Sequence, residues 1–558
     1  MNNSVGSTTC FGVTAPLSTA PPTDLDLQLT TKLIECLEMF DTFESDDSMQ
    51  HRMVVLSQMN DLVQKWIREI SEQKLAGNEA AQRMSGKIFT FGSFRLGVNT
   101  KGADIDTLLV APRHIDRADF FKSFATELET LPKVEYIRKI EDAFVPVIKT
   151  KIEGIEFDIL FARLALKNIP DDQDLKNNEL LRNLKQECVR SLNGCRVTDD
   201  ILSLVPNHEA FRLSLRAIKL WAKRRGVYSN ALGYLGGVSW AMLVARTCQL
   251  YPLACAATVV QKFFLIFSKW PWPKPVLLRA LEEDRANLGF PVWDPRVNVT
   301  DRYHLMPIIT PSYPQQNSTF NVTQSTKTIM IEEFIHAHAI CNKIVKGHAE
   351  WKDLFQENNF FSKYRHFLII IVESKPEWLG LIESKIRVLV SYLERHRCIK
   401  LAHVNPNSYQ QETQDTLDTK LTQESQETQE TSETLETPTD ENNEPDTYWF
   451  IGLHCDKSEG SNIDLTADLR QFLNTVRQSA ANKMTTEYKI EFKYVRKRDL
   501  VNYLPAHVLK SETNATTTTT TPVKRKLEDE DDDSKRAKQK TEPNAEITTG
   551  STPPQVTA

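Results

Sequence analysis

Apolar residues change their spacing several times along this chain of 558 residues. From Leu27 to Ile70 they recur three and four apart, at Leu33, Leu37 and Phe40 and then at Leu56, Leu62, Trp66 and Ile70. That period predicts helices over 25–70, expected to pack with the helical region further along. Over 71–166 the runs shorten. Ile88-Phe89-Thr90-Phe91 enters a glycine-containing turn, and 105–110 and 155–161 read as strands with helix between them, which predicts a mixed-sheet domain. From Asn178 to Lys346 the spacing is mostly helical again, broken by Pro- and Trp-rich loops at 270–275 and 291–311, so 167–350 reads as a helical middle domain. Over 351–510 the order is strand, helix, strand, strand, helix, strand, at 367–372, 378–394, 399–404, 448–454, 465–482 and 488–494. The fold class is therefore multidomain α+β, ending in a ferredoxin-like sandwich. RNA-recognition modules use that frame, although a fold alone does not establish RNA binding.

Three stretches fall outside these patterns. Residues 1–24, with Pro16, Pro21 and Pro22, read as a flexible segment. An insert at 410–446 is Gln/Glu/Thr-rich, with leucine as its one apolar type, and the tail 511–558 has no aromatic residue and a run of threonines at 516–521. Both bury too little to offset chain entropy and are expected to be disordered. The insert holds twelve Asp or Glu against one Lys, so the net charge of −6 hides +5 on the remainder. The acidity does not exclude a nucleic-acid partner. No run approaches the ~18 apolar residues of a membrane span, and the start lacks a basic segment followed by an apolar one, so neither membrane nor secretion is expected. The nine cysteines are scattered without a C-x-x-C, which argues against a zinc ribbon or disulfide framework and for a reducing compartment.

The chemistry concentrates in Phe91-Gly92-Ser93-Phe94-Arg95-Leu96-Gly97 and Lys101-Gly102-Ala103-Asp104-Ile105-Asp106. A strand running into Gly-Ser lets backbone N–H groups approach phosphate oxygens. On a strand, Asp104 and Asp106 share a face while Ile105 enters the core, and carboxylates so placed can hold Mg²⁺ beside a triphosphate. In Ile155-Glu156-Phe157-Asp158-Ile159-Leu160-Phe161 the apolar residues take one face and Asp158 the other, amid side chains that oblige it to find a partner. A third carboxylate on an adjacent strand would complete a two-metal site. Alone, an Asp-x-Asp is most often a solvated strand edge and a Gly-Ser turn means little; their conjunction carries the reading.

These residues make the chain resemble the nuclear poly(A) polymerases of eukaryotes, within the β-type nucleotidyltransferase superfamily. The likeness includes Lys87–Ser93, Thr100–Asp106, Phe157–Leu164, Ser191-Leu192-Asn193-Gly194, Leu215–Ala222, Gly236–Trp240 and Trp293–Arg296, and it spans 11–408 and 447–508 but neither the insert nor the tail. It implies a nucleotidyltransferase domain at 71–166 and an RNA-binding domain at 351–510. Asp104, Asp106 and Asp158 would be catalytic and bind two Mg²⁺ or Mn²⁺ ions. Phe91, Gly92, Ser93, Thr100 and Ile105 would line ATP, the substrate; Lys219 would meet its triphosphate, Tyr228 its phosphates or ribose, Asn230 its adenine, and Gly237-Val238 would close over it. The reaction implied is template-independent addition of adenosine to RNA 3′ ends, with pyrophosphate released. A terminal uridylyltransferase, a CCA-adding enzyme and an inactive RNA-binding relative are the rival readings.

Beside the resemblance, the bland readings remain. Lys219 could sit on the solvated face of a basic helix, Tyr228 and Asn230 could cap it, and Trp221, Trp240 and Trp293 read as core. For RNA, Lys489, Lys493, Arg496, Lys497 and Arg498 on or after the last strand are the candidates, with a solvated face as the alternative. In the tail, Lys524-Arg525-Lys526 and Lys535, Arg536, Lys538 and Lys540 flank an acidic block and read as a bipartite nuclear localisation signal. Expected partners are RNA 3′ ends and poly(A), the pre-mRNA cleavage and polyadenylation machinery and a nuclear import receptor; a nuclear monomer is expected.

Overall fold

The computed structural model describes residues 11–75, 79–282, 288–373, 376–410, 446–456, 463–480, 489–505 and 508. The expectations for the interior of the insert and for the tail, including Lys524, Arg525, Lys526, Lys535, Arg536, Lys538 and Lys540, lie outside the described residues. The flexible reading of 1–24 fails where it can be seen. Leu17 N donates to Leu250 O at 2.8 Å and Arg246 donates to Thr14 Oγ1 at 2.5 Å, so this proline-rich stretch is strapped to a helix end.

Helix α1 (Asp24–Met39) starts at a capping box in which Thr23 and Asp26 satisfy each other's N–H groups. Its buried stripe of Leu29, Leu33, Cys36 and Leu37 enters the middle-domain core. Helix α2 (Asp46–Lys74) does not follow it. Val55, Met59, Val63, Trp66 and Ile67 pack with Ile105, Leu109, Phe157 and Phe161, and Trp66 Nε1 donates to Ser123 Oγ at 2.9 Å. Helix α1 thus joins the middle-domain core, and the expectation that all of 25–70 packs there is corrected for α2, which joins the sheet. Periodicity shows which face is buried, not what buries it.

The N-terminal sheet contains β1 (Lys87–Thr90), β2 (Ile105–Ala111), β3 (Val134–Ile140), β4 (Val147–Ile152) and β5 (Ile155–Arg163), ordered β1-β2-β5-β4-β3. A short helix, α3 (Gly92–Leu96), follows β1. Strands β2 and β5 run parallel, and the other pairs antiparallel. Odd-numbered Ile105, Leu109, Phe157, Ile159 and Phe161 face α2. On the other face Leu108, Val110 and Ala162 meet Cys188, Val189, Leu192 and Cys195 of α4 (Gln186–Leu204). Further along α4, Val197 and Ile201 enter the middle core. The expected border at 166/167 is thus too early, because α4 seals the sheet before joining the middle helices.

Those helices are α5 (His208–Arg224), α6 (Gly237–Leu250), α7 (Ala256–Ser268) and α8 (Gln324–Val345), wrapped around Trp221, Trp240, Phe263, Phe264 and Phe334. Trp221 meets Phe264 edge-on at 4.7 Å, and Trp293 is buried as well.

In the C-terminal domain β6 (His366–Glu373), α9 (Pro376–Leu393), β7 (Ile399–Val404), β8 (Thr447–Cys455), α10 (Thr466–Ala480) and β9 (Lys489–Arg496) build an antiparallel sheet ordered β9-β6-β8-β7. This is the ferredoxin-like order read from the sequence. Residues 367–372 of β6 are buried on both faces, so the open sheet surface of an RNA-recognition module is covered. Tyr364 lies so close over Gly452 that a methyl there would overlap its ring. The domain also begins later than 351, since Trp351 Nε1 donates to Leu29 O of α1 at 2.9 Å.

Candidate active site

The turn after β1 is shaped by a glycine. Gly92 has φ +62°, and a Cβ there would overlap Asp106 Oδ2. Its N–H donates to Thr198 Oγ1 at 3.2 Å, while Phe91 N donates to Asp106 O at 3.0 Å. Ser93 sits in α3, whose last turn closes as Val98 N donates to Ser93 O at 2.9 Å. The Phe91 ring lies on Gly194 of α4, where a Cβ would stand 2.7 Å from it. Thr100 O accepts from Ala103 N at 3.0 Å, a turn that delivers the chain to Asp104.

Strand register then collects the carboxylates. Asp106 is directly opposite Asp158, and oxygens of Asp104, Asp106 and Asp158 lie within 4.8 Å of one another. Ile105 is fully buried and anchors β2 beneath them. Burial, then repulsion from Asp104 and Asp158, pushes the Asp106 carboxyl up to about 7. Burial also raises Asp158, against the pull of Lys149. Lys149 is the residue that sequence reasoning missed. It stands opposite Asp158 on β4, with Nζ 2.8 Å from Oδ1 and 2.5 Å from Oδ2. Its signal was present in Val147-Ile148-Lys149-Thr150-Lys151, a strand placing two lysines on the carboxylate face. An all-carboxylate donor set on a desolvated sheet face fits a hard divalent cation, whose charge would offset the repulsion among the three.

The middle domain supplies the opposite wall. Lys219 of α5 is not on a solvated face: Nζ donates to Val98 O at 3.1 Å. Burial first, then repulsion from Lys223 and Arg216, lowers it to about 8 against the attraction of Asp104 and Asp106. Tyr228 is half-buried, its phenol raised by burial and by the same two carboxylates. A Cβ on Gly237 would stand 2.8 Å from its hydroxyl oxygen. Gly237 opens α6 behind its N-cap Gly236, and Val238 is 42% exposed on that first turn. Exposed Asn230 lies against Gly236, and its carbonyl accepts from Asn321 at 3.0 Å. Asn193, beside Gly194, has a buried Oδ1 without a protein partner, a second residue the motif reading passed over.

The RNA candidates lie on a different sheet. Lys489 is paired with Glu373 at 3.5 Å and Glu491 at 3.0 Å, Lys493 lies over the Tyr503 ring, and Arg498 is 3.5 Å from Asp499. Arg496 is exposed, and Lys497 donates to Ser362 O at 3.2 Å.

Three family models match consecutive parts of the chain: the poly(A) polymerase nucleotidyltransferase domain over 12–205, the central domain over 210–357 and the predicted RNA binding domain over 359–514. Poly(A) polymerase pla1 of Schizosaccharomyces pombe is 44% identical over 398 residues, 70% of each chain. The chain belongs to the poly(A) polymerase family. The poly(A) polymerase of Dictyostelium discoideum is 40% identical over 519 residues, 90% of this chain and 60% of that one, so the chain spans less than two thirds of that relative. The Cid1 poly(U) polymerase superposes with a TM-score of 0.40 at 14% identity, covering 60% of this chain and 99% of its own. That likeness does not bear on which nucleotide this family member uses. The family's domain edges at 205/210 and 357/359 coincide with the end of α4 and with the segment after Trp351, where packing already placed them.

Proposed function

We propose that the chain is a template-independent polynucleotide adenylyltransferase that adds adenosine from ATP to RNA 3′ ends, as in mRNA polyadenylation, and releases pyrophosphate. The observation that carries this is the meeting of Asp104, Asp106 and Asp158 with the Gly92 turn and Lys219 in a member of this family. Asp104, Asp106 and Asp158 would hold two Mg²⁺ or Mn²⁺ ions, which when bound would supply activation of the attacking 3′-hydroxyl and offset charge on the leaving pyrophosphate.

The rest is done by the chain itself. Asp158, steadied by Lys149, orients or deprotonates the hydroxyl. Phe91, Gly92, Ser93 and Thr100 line the nucleotide. Lys219, held part-buried against Val98 O, is an ammonium below about pH 8 and meets the triphosphate through charge-assisted bonds. Tyr228 hydrogen-bonds near the phosphates or ribose, Asn230 reads adenine, and Gly237-Val238 close over it at the start of α6. Primer extension with each nucleotide in turn tests the assignment. ATP is expected to exceed UTP, CTP and GTP by more than about tenfold, roughly 1.4 kcal/mol of transition-state binding. Equal use of UTP would make it a terminal uridylyltransferase instead.

RNA 3′ ends and poly(A) are the partners of this reaction, with Arg496, Lys497 and Arg498, and to a lesser degree the already paired Lys489 and Lys493, supplying phosphate contacts. The two basic clusters of the tail make the chain a nuclear protein carried by an import receptor and acting with the cleavage and polyadenylation machinery, as a monomer. A chain ending at Lys510 is expected to tail RNA normally in vitro but to collect in the cytoplasm. Nuclear retention of that chain would remove the localisation signal from the account.

A further inference from the structure

We propose that Tyr494 and His366 form a base-stacking platform for the RNA strand at the outer edge of the C-terminal sheet, with Arg496 and Arg365 as its phosphate contacts. The proposal rests on the chain binding RNA, and it says where.

Strand β9 is an edge strand, paired so that His366 is opposite Arg496 and Leu368 opposite Tyr494. His366 and Tyr494 are therefore diagonal neighbours on one face, within reach of each other's rings. The rings lie nearly parallel, 17° apart with centroids at 6.0 Å, and the Tyr494 hydroxyl is 2.7 Å from His366 Nδ1. Alternation puts Ile490 and Phe492 on the same face, where Phe492 is covered by Phe472 of α10. Tyr494 continues that apolar row past the helix and is 57% exposed. A large aromatic ring, fixed by a hydrogen bond to a nearly parallel imidazole yet uncovered, offers a base a surface with little further ordering cost.

The charge beside it points to a polyanion. Arg496 follows Tyr494 on the same face by alternation, and Arg365 precedes His366; Lys497 N donates to Arg365 O at 3.0 Å, joining the two segments. Both arginines are exposed, and among the described residues neither has an acidic partner, whereas neighbouring Lys363 is paired with Glu332 and Lys489, at the far end of the strand, with Glu373. Aromatic faces interleaved with unpaired cations are how proteins hold single strands without reading sequence. Because the central strands are buried on both faces, the edge is where this sheet can offer such a surface.

Anisotropy of a labelled oligo(A) bound to the full chain across a salt series tests the idea. Tyr494→Ala is expected to weaken binding about tenfold at every salt concentration, leaving the slope of log Kd against log salt unchanged. Tyr494→Phe, which keeps the ring, should stay within about twofold of wild type. Arg496→Ala should reduce the slope by about 0.7, the share of one phosphate on a single strand. Both Tyr494→Ala and Arg496→Ala should raise KM for primer with KM for ATP and kcat at saturating primer unchanged. Wild-type affinity in Tyr494→Ala would overturn the platform. A wild-type chain that does not bind oligo(A) would sink the RNA-binding reading and the platform with it.

Discussion

Replacing Asp104, Asp106 or Asp158 by alanine is expected to abolish tailing, a fall of about a thousandfold or more in kcat, without unfolding the chain. The site is costly in the absence of a cation: three carboxylates share a patch 4.8 Å across, and Asp106 is lifted to about 7 by burial and its neighbours. The folded, metal-free site thus keeps a proton that the unfolded chain releases near pH 4. Between about pH 4 and pH 7 the folded state binds more protons, so this group's contribution to stability falls as pH rises and is least favourable above 7. Asp106→Asn removes that penalty. Its metal-free melting temperature should exceed the wild type's at pH 8, with the gap closing towards pH 4. Adding Mn²⁺ at pH 8 should raise the wild type and leave the variant nearly unmoved. Asp158→Ala gains less, because it also strands Lys149 without its carboxylate. Near-normal activity in any of the alanine variants would remove that residue from the metal site, and a metal-free Asp106→Asn melting below wild type at pH 8 would refute the electrostatic account.

Among the described glycines of positive φ, Gly92→Ala is expected to be the most damaging to activity. At φ +62° an L residue costs about 1–2 kcal/mol, and the added carbon would overlap Asp106 Oδ2 itself. One of the two must move, and a displacement of about 1 Å in a reacting constellation costs about a hundredfold in rate. Gly102→Ala separates the two effects. It also has positive φ, +71°, but a Cβ there meets nothing within 4 Å. It should lose similar backbone stability and keep most of its activity. Equal activity losses in the two variants, measured at saturating ATP with melting points alongside, would mean that strain rather than the Asp106 contact sets the requirement for glycine.

Much of this architecture is readable without coordinates. A carboxylate spaced two from another on a strand must share its face, and an Asp flanked by Phe157 and Ile159 must find a partner; both follow from the pleat and from the cost of burying charge. The order of strands and helices after Phe361 was enough to predict the ferredoxin-like sandwich, because alternation and helical period differ so plainly there. What no local pattern contains is which surfaces meet. Helix α2 has the same amphipathic period as α1, yet seats on the sheet rather than on the middle helices. Lys149 becomes the counter-ion of Asp158 through the register of a hairpin whose partners are 9 residues apart, and His366 the neighbour of Tyr494 through strand pairing across 128 residues. Lys219 resembles any lysine on a basic helix until α5 is laid against Val98. The sequence alone determined the chemistry available and the face each residue takes, since these depend on neighbours a few positions away; the tertiary structure decided the partners, since register and packing are settled by the whole core at once.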